Sequence, residues 1–253
     1  MTSNNYWKND WNRAKDRLTN WWQGKGIALS ITAPADKPHE IIEKPKKPAN
    51  LKKMWIDPDY RVKQAEYEMS NTFFGAEAFP YFDTHIGPGN LATFIGSEPG
   101  FKENTVWYNS CIENPDNYPV LEFDPENKWY QIQLSIIKKG LEKNNGRYLV
   151  GMPDLIENVD ILSSLRGAEN VLMDFIERPN FVKAKVQEIN NIFFTVFDNI
   201  YKLIRDQWNG NAFCCFKIWG PGKTAKVQCD AAAMISPVMF NNFVIPSLTE
   251  QCK

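Results

Sequence analysis

The sequence predicts a parallel α/β fold. Short apolar strands alternate with helical stretches, each strand runs into a polar or glycine-bearing loop, and no repeat or low-complexity segment interrupts the order. A length of 253 residues suits one large domain that buries its own core. Pattern alone leaves barrel and open sheet undecided.

The elements follow from local chemistry. Residues 7–24 read as an opening helix, with Trp7 and Trp11 at helical spacing and Gly24 or Gly26 as its stop. Residues 27–32 (IALSIT) form a strand, ended by Ala33-Pro34. Residues 34–50, rich in Pro and Lys, make a loop excursion holding His39 and the KPKK run, both expected at the solvent. Asp57-Pro58 opens a helix to about Asn71, because proline fits a first helical turn. FFGAEAFPYF is an aromatic strand entering the loop DTHIGPGNL, and residues 100–129 form a second excursion of loops and short strands.

The second half continues the alternation. A helix over residues 126–143 precedes a buried strand at 147–155. Asp160 is read as the cap of a helix reaching Leu165, and another helix spans 168–176. Pro179 opens the strongest helix, with Val182, Val186, Ile189, Phe193, Val196, Phe197, Ile200 and Ile204 on one stripe. Residues 211–219 and 224–230 read as strands, and Ser236-Pro237 begin a last helix by a cap and a first-turn proline.

Composition narrows function by exclusion. The formal net charge is −1, so no global field draws the chain to nucleic acid or to an anionic membrane. The N-terminus lacks an apolar targeting core and no stretch reaches membrane-span length, which favours the cytoplasm. The five cysteines, Cys111, Cys214, Cys215, Cys229 and Cys252, are expected reduced and mostly buried. With no CxxC or HxxxH pair, no metal ligands are identifiable from spacing. GPGKT at residues 220–224 lacks the first glycine and spacer of a phosphate loop.

In a parallel α/β fold, chemistry gathers where strands end. Asp83 and His85 lie two apart at such an end, so period 2 aims both side chains to one face. Asp83 is a candidate catalytic carboxylate and His85 a substrate-binding imidazole. Asp154, beyond a turn fixed by Pro153, and Asp230, ending VQCD, are further candidates: Asp154 for substrate binding and Asp230 for catalysis. Cys229 is a candidate substrate-binding residue, as a soft ligand or a nucleophile, although no cationic neighbour to activate its thiol is visible. Trp219, near a predicted loop, is expected to help line an apolar substrate site.

The segment VQCDAAAMISPVMFNNFVIPSL resembles the strand–loop–helix of the uroporphyrinogen decarboxylase superfamily, through Val227, Gln228, Asp230, Ser236, Pro237, Phe240, Phe243 and Pro246. GMPDLIENVDILSSLRGAENVLMDFIERPNFV and FPYFDTHIGPG are co-linear with a second unit and with the family's substrate-facing aspartate. The resemblance implies a (β/α)8 TIM barrel over residues 1–253 as a single domain, with 34–50 and 100–129 as excursions. Roughly six of eight βα units are present, so the barrel is expected to be incomplete at the C-terminus and the chain a fragment.

Activity divides the family. The decarboxylase arginine motif is replaced by ITAPADKP, the active-site tyrosine falls near Ser164, and a serine is replaced by Ala231. The chain is more similar to the corrinoid- and thiol-directed methyltransferases, including TVWYN at residues 105–109. That branch implies methyl transfer involving a thiol or a corrinoid. It also implies a zinc ion, with ligands expected beyond Lys253 in the full-length protein, and a small-molecule substrate or corrinoid protein as partner. An oligomer is compatible with it. Decarboxylation of a porphyrinogen and a non-catalytic corrinoid- or partner-binding barrel are the alternatives.

Overall fold

The computed structural model describes residues 7–156, 158–213 and 216–253; Cys214 and Cys215 lie outside them. Helix α1, Trp11–Trp22, buries Trp11, Ala14 and Leu18 on one stripe and stops before Gly24, which adopts φ 73°. Strand β1 is Ser30–Pro34, later than the expected 27–32. Helices α2, Leu51–Ile56, and α3, Pro58–Ser70, meet at Asp57, whose carboxylate accepts the amides of Asp59 and Tyr60 above a first-turn proline. The aromatic segment expected as one strand is two, β2 at Thr72–Ala76 and β3 at Tyr81–Phe82, with Ala76 ending the first at φ 50°.

Next come α4, Leu91–Phe94, and the strands β4, Glu98–Phe101, and β5, Val106–Asn109. Helix α5, Lys128–Asn144, starts at Asn127, which accepts the amides of Trp129 and Tyr130. Strand β6, Leu149–Val150, precedes α6, Asn158–Arg166, α7, Ala168–Glu177, and α8, Pro179–Ile204. All eight stripe residues expected in α8 are buried. Residues 211–219 divide into β7, Asn211–Phe213, and β8, Ile218–Gly220. The chain then forms a 3-10 turn at Asp230–Met234, α9 at Pro237–Phe243 and α10 at Ile245–Gln251. Ser236 caps α9 through the Met239 amide, as its sequence signal implies.

Contacts divide the chain into two compact units. The first takes residues 1–85, 132–153 and 200–225, the second 86–131, 154–199 and 226–253. In the first, β3 pairs with β6 in parallel, and Met152 bridges Phe213 in parallel just beyond, so β3, β6 and β7 lie side by side in chain order. Gly151 makes this approach close: a Cβ there would fall 2.0 Å from the Tyr81 ring.

Elsewhere the pairing departs from expectation. β1 pairs with β2, and β7 with β8, in antiparallel register. The parallel α/β reading therefore holds for one strand row within a mixed helix–strand fold. Among the described residues no closed barrel forms. The core of this unit joins Trp11, Leu18, Phe79, Tyr81, Ala212 and Trp219, with Trp11 edge-on to Trp219 at 5.9 Å.

In the second unit, β4 and β5 form an antiparallel hairpin inside the expected excursion. Arg166 ties α6 to α7 through Asp174 at 2.9 Å and also donates to the carbonyls of Ile112 and Glu113. Residues 224–230 are not a strand. Their polar groups bond to side chains instead: Lys226 to Asp154, the Gln228 carbonyl to Asn158, and the Asp230 amide to Asp160. Among the described residues no helix is long and apolar enough to cross a membrane.

Candidate active site

Two constellations of polar side chains stand out, one in each unit: the first at the end of β3, the second around the first turn of α6 and the 3-10 turn at Asp230–Met234. In the first, β3 delivers Asp83 and His85 to one face as their spacing predicts. Asp83 Oδ1 lies 3.2 Å from His85 Nδ1 and 3.3 Å from the His85 amide. Thr84, on the opposite face, donates to the Gly151 carbonyl. The His85 ring stacks on Trp55 at 6.1 Å.

Arg61 of α3 fixes the backbone that presents this pair. Its guanidinium donates to the carbonyls of Trp55, Asp83 and His85, each at 2.8 Å. Burial pulls the Arg61 pKa down, opposed first by the Asp83 carboxylate. A cavity of about 390 Å³ beside them is lined by Arg61, Glu68, Phe79, Tyr81, Asp83 and Lys217.

In the second unit, Asp154 is buried and pairs with Lys226, at 2.7 Å and 2.8 Å to its two oxygens. Asp160, expected as a helix cap, sits inside the first turn of α6 and reaches across to residues 230 and 231. Its oxygens accept the Asp230 amide at 2.7 Å and the Ala231 amide at 3.2 Å, so it caps the 3-10 turn from 70 residues away. Burial raises the Asp160 pKa; the amide bonds work against the rise and the Asp230 charge adds to it. Gln228 donates to the Asp230 carboxylate at 3.3 Å.

These residues edge a cavity of about 540 Å³, lined by Trp107, Tyr108, Asp160, Ser164, Asp230 and Ala231 among others. Ser164 and Ala231, two of the three departures noted in the sequence, thus share one cavity with Asp230. The remaining wall is largely apolar, including Ile156, Ile161 and Met234. No Lys, Arg or His appears among the described lining residues. Among the described residues, neither Asp160 nor Asp230 has an ion-pair partner, in contrast to Asp154.

Other candidates fall outside this cavity or carry different chemistry. Trp219 is 2% exposed in the core of the first unit, and its indole N–H donates to Asp206 at 2.7 Å. Cys229 is half-buried, and burial followed by the Asp160 charge pushes its thiol up to about 12, so it stays protonated near neutral pH. The three described cysteines are less buried than expected: Cys111 and Cys229 are intermediate, and Cys252 is exposed. Sequence reasoning missed Tyr108 and Asp160 as lining residues. The adjacent Trp107-Tyr108 in a polar excursion was the available signal. Among the described residues no group of three or more His, Cys, Asp or Glu could hold a metal ion. The resemblance puts the zinc ligands beyond Lys253, outside these residues.

The sequence matches no protein-family profile and no curated protein. The fold is similar to that of a methyltransferase from Methanosarcina mazei, with a TM-score of 0.59 at 15% identity. The match covers 94% of this chain and 65% of that one, so the chain spans just under two thirds of the methyltransferase's length. At this identity the likeness establishes a shared fold.

Proposed function

We propose that the chain carries the substrate cavity of an enzyme that moves a methyl group to or from a thiol or a corrinoid. The observation that carries this reading is the charge of the cavity in the second unit: Asp160 and Asp230 line it and no described cation does. A porphyrinogen, bearing many carboxylates, would meet like charge there. Each close pair would cost on the order of 4 kcal/mol at the dielectric of a protein surface. A thiol and a methyl group are small and apolar, and they suit the wall of Trp107, Ile161 and Met234. The fold likeness to a methyltransferase supports the class.

Asp230 is assigned the proton. As the sulfur of a thiol forms its bond to the methyl carbon, the S–H proton passes to the Asp230 carboxylate. The bond between methyl and donor breaks, and its electron pair stays with the donor. Asp160 acts as a positioning residue through the amides of Asp230 and Ala231. The Asp83–His85 pair is suited to acid–base work at its own strand end.

Methylcobalamin and 2-mercaptoethanol, incubated with the protein, test the reading. Thioether formation by mass, with loss of the methylcobalamin spectrum, supports it. Asp230→Asn should slow transfer about 100-fold, the scale of general-base catalysis. Absence of transfer alongside release of carbon dioxide from uroporphyrinogen would overturn it.

A further inference from the structure

We infer that the cavity of the second unit binds an organic cation of the quaternary ammonium type, held by the Trp107 face and by the carboxylates Asp160 and Asp230, which have no ion-pair partner among the described residues. This rests on the reading that the cavity is the substrate site, and it names the ligand's chemical class.

Charge complementarity comes first. Three aspartates lie in this part of the unit, and the fold neutralises only one of them. Asp154 takes Lys226 at 2.7 Å, whereas Asp160 and Asp230 face the cavity without an ion-pair partner among the described residues. Asp160 is also held where burial disfavours its charged form, as its raised pKa records. A carboxylate in that condition gains from a cation that fills the space beside it.

The wall specifies which cation. An ammonium or guanidinium with several N–H groups needs several acceptors. The Asp160 oxygens already accept two backbone amides, and Asp230 accepts Gln228. A quaternary ammonium has no N–H to satisfy. It needs only diffuse negative charge and an aromatic face, the combination by which aromatic sites recognise such ions. Trp107 supplies that face. It is 66% exposed and stands on β5 beside the cavity, where a residue serving only the core would be covered. A volume of about 540 Å³ accommodates a methylated ammonium head on a larger body.

Choline and its uncharged carbon isostere, 3,3-dimethyl-1-butanol, form a matched pair of probes for titration calorimetry and tryptophan fluorescence on the whole chain. Choline is expected to bind at least tenfold more tightly than the isostere. Trp107→Ala and Asp230→Asn should each weaken choline at least tenfold, and Trp107→Phe should retain most of the affinity. Trp107 is too exposed for its loss to unfold the protein, and unchanged urea midpoints would verify this for both variants. Equal binding of the two probes, absence of choline binding, or choline affinity unchanged in both variants would overturn the inference. Choline binding without methyl transfer would refute the proposed reaction and leave the cation site standing; methyl transfer without cation selectivity would do the reverse.

Discussion

Replacing Arg61 with alanine probes whether a buried cation holds the Asp83–His85 pair in place. The guanidinium makes three hydrogen bonds of 2.8 Å, to the carbonyls of Trp55, Asp83 and His85. Hydrogen bonds from a charged donor contribute about 1.5–3 kcal/mol each, so the gross loss is roughly 4.5–9 kcal/mol. Removing the cation also relieves its desolvation, a cost of several kcal/mol for a buried ion. The net destabilisation should then be about 3–5 kcal/mol, the range found when a buried charged network loses a member. That is a large fraction of the roughly 5–15 kcal/mol by which domains are stable.

Urea denaturation followed by far-UV circular dichroism measures it directly. Arg61→Lys should lose roughly half as much, since one ammonium cannot span three carbonyls from a planar fork. A loss below about 1 kcal/mol for the alanine variant, or a lysine variant as stable as the parent, would show that the three bonds do not hold the strand end.

Three further outcomes follow from single residues. Gly151→Ala would place a Cβ 2.0 Å from the Tyr81 ring, and overpacking of that kind should cost about 1–3 kcal/mol or more, read as a lowered melting temperature. The folded Asp160 pKa is raised, so between its ordinary and folded values the folded state holds more proton and stability falls as pH rises through that window. Asp160→Asn should flatten that slope just above the ordinary carboxylate range, as urea midpoints against pH would show. Cys229, with its thiol near 12, would be ionised only to about one part in 10⁴ at pH 8, so iodoacetamide should label exposed Cys252 far faster, as peptide mapping would reveal.

Two helix starts, those of α3 and α9, were legible in the sequence because one residue carries each signal. Asp57-Pro58 and Ser236-Pro237 act through bonds to amides two or three residues away, so their meaning is local. The α8 stripe was equally readable, because period 3.6 is written into the spacing of its apolar residues.

Strand pairing was not legible, because a strand's partner is chosen elsewhere. Residues 211–219 look continuous, yet β7 and β8 pair with each other in antiparallel register, and Lys217 just before β8 adopts φ 50°. Residues 224–230 have strand composition, but Asp154, Asn158 and Asp160 take their polar groups. At the candidate site, Asp83 and His85 could be grouped because they share a strand end. Asp160 and Asp230 could not, since the bond joining them spans 70 residues of chain. Asp160 offered a local alternative as a helix cap, and only the fold shows which amides it serves.

The interleaving of the two units has a consequence for synthesis on the ribosome. The first unit opens with residues 1–85 but is completed only by 200–225, and the second draws on residues up to 253. At ~5–20 residues per second, the intervening stretch of about 140 residues takes roughly 7–28 s to emerge. Until residue 150 has emerged β3 waits with an open edge for β6, and β6 then waits for β7, with Phe79 and Tyr81 still without Ala212 and Trp219 of their core cluster. Nascent chains stalled after residue 153 should therefore stay protease-sensitive and bind holdase chaperones. Those stalled well past residue 225 should resist cleavage across the first unit.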